Sequence, residues 1–128
     1  MRLLLDTHVF IWWADQQESL SATALSALKD EANELLLSVA SVWEMQIKVQ
    51  LGKLKLSRSL RELVESQVET NDLQILPIEL AHVLVLDALP FHHKDPFDRM
   101  LIAQSIQEDV TLVSADPEFS AYSVQLIQ

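Results

Sequence analysis

The chain contains no cysteine, which removes a disulfide framework and every thiolate metal site and agrees with a reducing compartment. Gly52 is its only glycine. The dinucleotide fingerprint, the phosphate-cradling loop and the serine-hydrolase elbow each need at least two glycines, so all three are excluded. Basic residues are scarce: nine Lys and Arg stand against 19 Asp and Glu, a net charge of −10. That balance excludes broad nucleic-acid binding through a basic surface. It leaves room for a site in which metal ions, rather than side chains, meet a polyanion. No apolar run approaches the ~18 residues of a membrane span. Met1-Arg2-Leu3-Leu4-Leu5 has a faint look of a signal peptide, but Asp6 interrupts its apolar core and no small-residue cleavage site follows. The expectation is a soluble, cytoplasmic protein with no membrane contact.

What is present is apolar residue, 49% of the chain, enough for one domain over residues 1–128 to fold without a staple. Short apolar runs at Leu3–Leu5, Glu34–Ser38, Leu73–Leu76 and Thr111–Ser114 read as buried strands, with Ser123–Ile127 as a possible edge strand. Helices are expected over Val9–Ala14, Ala22–Asp30 behind Ser21, Val39–Gln50 ended by a left-handed Gly52, and Ser59–Thr70. Another is expected over Glu79–Leu89, ended near Pro90. Asp95-Pro96-Phe97-Asp98 is an emphatic helix start, with a cap, a proline at the first helical position and an acid in the first turn. That helix should run to about Glu108, and Asp116-Pro117-Glu118 repeats the start signal. Strands alternating with helices predict a three-layer α/β fold with a mostly parallel central sheet of four to five strands flanked by helices.

On that topology the acids converge. Asp6 closes strand one, where ligands gather in open α/β sheets. Glu44 lies in the second turn of the helix leaving strand two, roughly 9 Å along at 1.5 Å per residue, and its long side chain can reach back. Asp116 follows strand four on the same edge. The helix carrying Asp98 precedes strand four and in a right-handed crossover runs antiparallel to it, so its start lies at that strand's carboxyl end. Four carboxylates at one rim raise one another's pKa, and the usual resolution is a hard divalent cation, Mg²⁺ or Mn²⁺. The chemistry implied is metal-assisted phosphodiester hydrolysis.

These residues resemble the PIN-domain nucleases, and more closely the VapC-type toxins of bacterial toxin–antitoxin pairs. The likeness covers nearly the full length. It rests on Leu5-Asp6-Thr7-His8, on Ser41-Val42-Trp43-Glu44 with Gly52-Lys53-Leu54, on the block from His93 to Ala103 containing Asp95-Pro96-Phe97-Asp98-Arg99, and on Leu112-Val113-Ser114-Ala115-Asp116. The family's acidic metal ligands map onto Asp6, Glu44, Asp98 and Asp116, and its hydroxyl near the last acid onto Ser114. The resemblance implies an Mg²⁺- or Mn²⁺-dependent endoribonuclease held inactive by a cognate antitoxin and usually dimeric.

Blander roles stand beside these. Asp95 and Asp116 both precede proline and can serve simply as helix caps; Asp98 can be a first-turn charge. Thr7 either orients Asp6 or caps the next helix. Trp12, Trp13 and Trp43 read as core or dimer-face residues, with base stacking as the alternative. Lys48, Lys53, Lys55, Arg58 and Arg61 form a solvated face or contact phosphate, and Arg99 pairs with Asp98 or touches RNA. The four histidines show no helical zinc spacing with a third ligand in view. Two other functions compete: a non-catalytic PIN-like interaction module, and a phosphoreceiver. The latter needs an acceptor aspartate near mid-chain, and none lies between Asp30 and Asp72.

Overall fold

The computed structural model describes residues 1–92 and 94–128; His93 lies outside the described residues, and with it that residue's place in the block above. Five strands form one sheet: β1 (Arg2–Leu5), β2 (Glu34–Ser38), β3 (Gln74–Leu76), β4 (Thr111–Val113) and β5 (Leu126–Ile127). Their order is β3-β2-β1-β4-β5, and every pairing is parallel. Six α-helices flank it: α1 (Thr7–Asp15), α2 (Ala22–Lys29), α3 (Val39–Gln50), α4 (Leu60–Asn71), α5 (Leu80–Val85) and α6 (Pro96–Glu108). Among the described residues no helix is long and apolar enough to cross a membrane.

The period-2 alternation of strand side chains sorts the leucine runs into two cores. Leu3, Leu5, Leu35, Leu37 and Val113 face one side, packed with Phe10 and Trp13 of α1, Leu28 of α2, Met45 of α3 and Leu63 of α4. Leu4, Leu36 and Leu112 face the other, with Leu101 and Ile102 of α6, Phe119 and Tyr122. Strand β1 sits between β2 and β4, so its three leucines are wholly buried. This is why the strand carries no polar alternation. From β1 the chain steps outward to β2 and β3, then returns across β1 to lay down β4 and β5. The strand order therefore reverses between β1 and β4, and a crevice opens at their carboxyl ends.

Side-chain caps set most helix boundaries. Ser21, Ser38 and Ser59 accept from the backbone N–H of Ala24, Ala40 and Glu62 at 3.0, 3.0 and 3.2 Å, and Asp95 accepts from Phe97 and Asp98. Gly52, at φ +71°, closes α3: its N–H reaches the Val49 carbonyl at 3.1 Å and the next N–H, of Lys53, reaches Lys48 at 2.9 Å. This is the Schellman arrangement. Asp72 and Asp109 take the same left-handed role after α4 and α6, both at φ +52°, without the glycine that usually signals it.

Three boundaries differ from expectation. The helix expected over Glu79–Leu89 is α-helical only over Leu80–Val85 and continues as a 3₁₀ turn, Leu86–Ala88. There the chain turns its Leu86, Leu89 and Pro90 carbonyls towards the Arg99 guanidinium. The segment after Asp116 is a 3₁₀ turn, Pro117–Ala121, rather than an α-helix. The edge strand is confined to Leu126–Ile127, tied to β4 by Leu112 N–H to Gln125 O (2.8 Å) and Ser114 N–H to Ile127 O (3.0 Å).

Candidate active site

Asp6 is the first residue past β1, at the point where the strand order reverses. Its own N–H continues the ladder to the Val113 carbonyl at 3.0 Å. Its side chain then caps α1: Oδ1 accepts from the Val9 N–H at 2.7 Å. The other oxygen, Oδ2, accepts from the Ser114 hydroxyl at 2.5 Å. Ser114 follows β4 directly and is 1% exposed. The carboxylate is thus held by the first turn of α1 on one side and by the residue that follows β4 on the other. Asp6 is 5% exposed, and burial pushes its carboxyl above the ordinary value; the Ser114 and Val9 hydrogen bonds and the charge of His8 pull it back, while Asp116 adds to the rise.

Asp116 reaches this network through Ser114, whose oxygen accepts the Asp116 N–H at 3.0 Å. The Asp116 carboxylate also caps the Pro117–Ala121 turn, accepting from Glu118 N–H at 2.9 Å. Capping and proximity to Asp6 therefore coexist in one side chain. Asp95 is a cap for α6 and is exposed.

Glu44 faces inward from the second turn of α3 and is 6% exposed. Its Oε1 accepts from the Thr7 hydroxyl at 2.6 Å, and its Oε2 from the Lys48 ammonium at 2.9 Å. Thr7 was expected to orient Asp6 or cap α1. It does neither: Asp6 caps the helix itself, which places Thr7 at the first helical position with its hydroxyl turned to α3. The neighbouring residues Asp6 and Thr7 so bind the two halves of the rim, one to β4 and one to α3.

Asp98 lies half-buried in the first turn of α6, its N–H held by Asp95 at 3.2 Å. The helices bearing Asp98 and Glu44 meet at this end, where Trp43 packs edge-on against Phe97 with ring centroids 5.2 Å apart. Trp43 is 59% exposed, so it is no core residue, whereas Trp13 is buried. Among the described residues, no three Asp, Glu or His side chains close around a common point that could hold an ion. The structure joins Asp6, Ser114 and Asp116 in one network and Glu44, Thr7 and Lys48 in the adjoining one.

Arg99 is buried and donates to the Pro90, Leu89 and Leu86 carbonyls at 2.9, 3.3 and 3.4 Å, contacts its sequence position did not signal. Its guanidinium also lies 4.0 Å from the centroid of the Phe91 ring. It pins the segment that leads into α6. Lys53 is exposed on the turn after α3. The Glu44–Lys48 pair went unnoticed in the sequence, although its i,i+4 spacing was the available signal.

The oxygen-only donor set suits a hard divalent cation. Asp6 supports that fit: a buried carboxylate beside a second acid, held by a hydroxyl and a backbone N–H, lacks full charge compensation.

Comparison with known proteins follows the same lines. The PIN domain family matches residues 3–125. Ribonuclease VapC22 of Mycobacterium tuberculosis is 28% identical over 116 residues, covering 89% of this chain and 86% of its own. In the solved complex of Rickettsia felis VapBC2 with promoter DNA, a chain superposes with a TM-score of 0.76 at 16% identity, over 99% of this chain and 98% of that one. Neisseria gonorrhoeae FitAcB gives a TM-score of 0.66 at 18% identity, over 98% and 96%. With the match running through both rim-forming strands, β1 and β4, this chain belongs to the PIN-domain family.

Proposed function

We propose that this protein is the toxin of a toxin–antitoxin pair, a VapC-type endoribonuclease that hydrolyses RNA phosphodiester bonds with Mg²⁺ or Mn²⁺. The observation that carries the reading is the placement of Asp6, buried at the reversal of strand order and held by the α1 N-terminus and by Ser114 after β4. Likeness to a mycobacterial ribonuclease and to toxin–antitoxin complexes supports the toxin role.

In this reading Asp6, Glu44 and Asp98 hold the principal cation, and Asp116 supports it or a second one. The bound ion supplies Lewis acidity, which offsets phosphate charge and acidifies the attacking water. The chain's own residues provide position. Ser114 and the Val9 N–H fix both oxygens of Asp6, Thr7 fixes one oxygen of Glu44, and the apolar strands beneath exclude bulk water. Lys48 and Lys53 lie on the α3 side, where a phosphate backbone would pass. A cognate antitoxin is the protein partner. A homodimer is part of the same reading, since Leu80, Val83 and Leu84 expose an apolar face on α5.

The test is cleavage of total RNA by the purified chain with Mg²⁺ or Mn²⁺, and growth arrest on expression. Asp6→Asn and Asp98→Asn should each abolish both while the protein stays folded by circular dichroism. Native-rate cleavage by either variant would remove that residue from the site. A folded native protein that cuts no RNA with either ion would leave the non-catalytic interaction module as the function.

A further inference from the structure

We propose that Lys48 is a built-in counter-ion of Glu44, which a divalent cation must displace to enter the site, so that Lys48 sets how tightly the ion is held. This rests on the reading of Glu44 as a ligand. The two oxygens of Glu44 are occupied by groups of different kinds. Oε1 is held by Thr7, itself buried, whose neutral hydroxyl leaves that oxygen free lone-pair capacity. Oε2 faces the Lys48 ammonium at 2.9 Å, and the lysine side chain is 39% exposed against 7% for the glutamate. One partner is therefore fixed in the core, and the other stands at the solvent edge.

A buried carboxylate needs a compensating charge. Lys48 provides it from one turn further along α3. At Asp6, by contrast, no Lys or Arg among the described residues forms an ion pair, and Ser114, the Val9 N–H and His8 act in its place. The rim thus contains one acid with its own ammonium and one whose charge is poorly met. An ion drawn to Asp6 is opposed at Glu44 by the ammonium on Oε2, because a divalent cation and an ammonium repel across a shared carboxylate, and full use of both oxygens requires the ammonium to leave. Lys48 can do so by changing rotamer towards solvent, a fast motion for an exposed side chain.

The experiment is calorimetric titration of the full-length chain with Mn²⁺ alone, at neutral pH and fixed ionic strength. Lys48→Met should bind Mn²⁺ about 2- to 5-fold more tightly than the native protein, the range expected when one partly exposed ion pair no longer competes. Lys48→Arg, whose planar guanidinium can grip a carboxylate with two parallel donors, should bind more weakly than native. Lys53→Met removes an equal charge from the neighbouring turn and should stay within about twofold, which separates pairing from net charge. In a Glu44→Gln background Lys48→Met should have no effect, and if Lys48→Met folds poorly, Lys48→Gln takes its place. Unchanged or weaker Mn²⁺ binding by Lys48→Met, with binding still lost in Asp6→Asn, overturns the counter-ion role and leaves the site intact. No Mn²⁺ binding by the native protein overturns both.

Discussion

Removing one hydroxyl, in Ser114→Ala, should destabilise the protein by about 2–4 kcal/mol at neutral pH. Ser114 Oγ donates to the buried Asp6 carboxylate at 2.5 Å and accepts the Asp116 N–H at 3.0 Å. A hydrogen bond to a charged group contributes about 1.5–3 kcal/mol, and the stranded Asp116 N–H adds roughly 0.5–1. Alanine fits the same backbone, so little else changes. The loss should depend on pH in a defined sense. Burial already raises the Asp6 carboxyl above its ordinary 3.8, and the Ser114 bond is the strongest influence pulling it back. For a carboxyl so raised, the favourable contribution is complete below the unfolded value and is lost as pH climbs through the folded one. Without Ser114 the folded value rises further, so the variant loses more stability on going from acid to neutral pH. Urea unfolding followed by tryptophan fluorescence at several pH values reads this directly. The gap between native and variant should be about 1 kcal/mol where Asp6 is protonated and widen towards pH 7. In an Asp6→Asn background Ser114→Ala should cost no more than about 1 kcal/mol. A gap that stays constant with pH, or falls below about 0.5 kcal/mol at pH 7, would refute the coupling.

Arg99→Met should cost about 2–4 kcal/mol, because it takes away the guanidinium donors of the Pro90 and Leu89 carbonyls, while Leu86 O keeps the Leu89 N–H at 3.2 Å. Arg99→Lys should recover only part of that, since an ammonium cannot span the same fork; full recovery in urea unfolding would contradict the clamp. Asp109→Gly should raise stability by about 0.5–1 kcal/mol, relieving a side chain held at φ +52°. No gain in thermal unfolding would mean that the aspartate is unstrained there.

Much of the scaffold was readable from the residue pattern. Parallel strands buried on both faces must be continuously apolar, so Leu3–Leu5 and Leu35–Leu37 announced themselves. Ser21, Gly52 and the Asp95-Pro96 pair marked helix ends within a turn, because capping is a local interaction between residues two to four apart. The boundaries that were misplaced have non-local causes. Helix α5 gives way to a 3₁₀ turn where Arg99, thirteen residues beyond Leu86, gathers the Leu86, Leu89 and Pro90 carbonyls.

The sequence by itself determined the inventory: an α/β alternation of strands and helices, acids closing strands or opening helices, and no thiol or glycine loop to compete with them. Only the tertiary structure decided who holds whom. That Ser114 binds Asp6 from 108 residues away, that Thr7 serves Glu44 rather than its neighbour, and that Arg99 turns inward to backbone carbonyls are consequences of β4 lying beside β1 and α3 beside α1. Local physics chooses a residue's dihedrals and its cap. The partner of a buried polar side chain depends on which distant strand is laid next to it, and no short-range pattern encodes that.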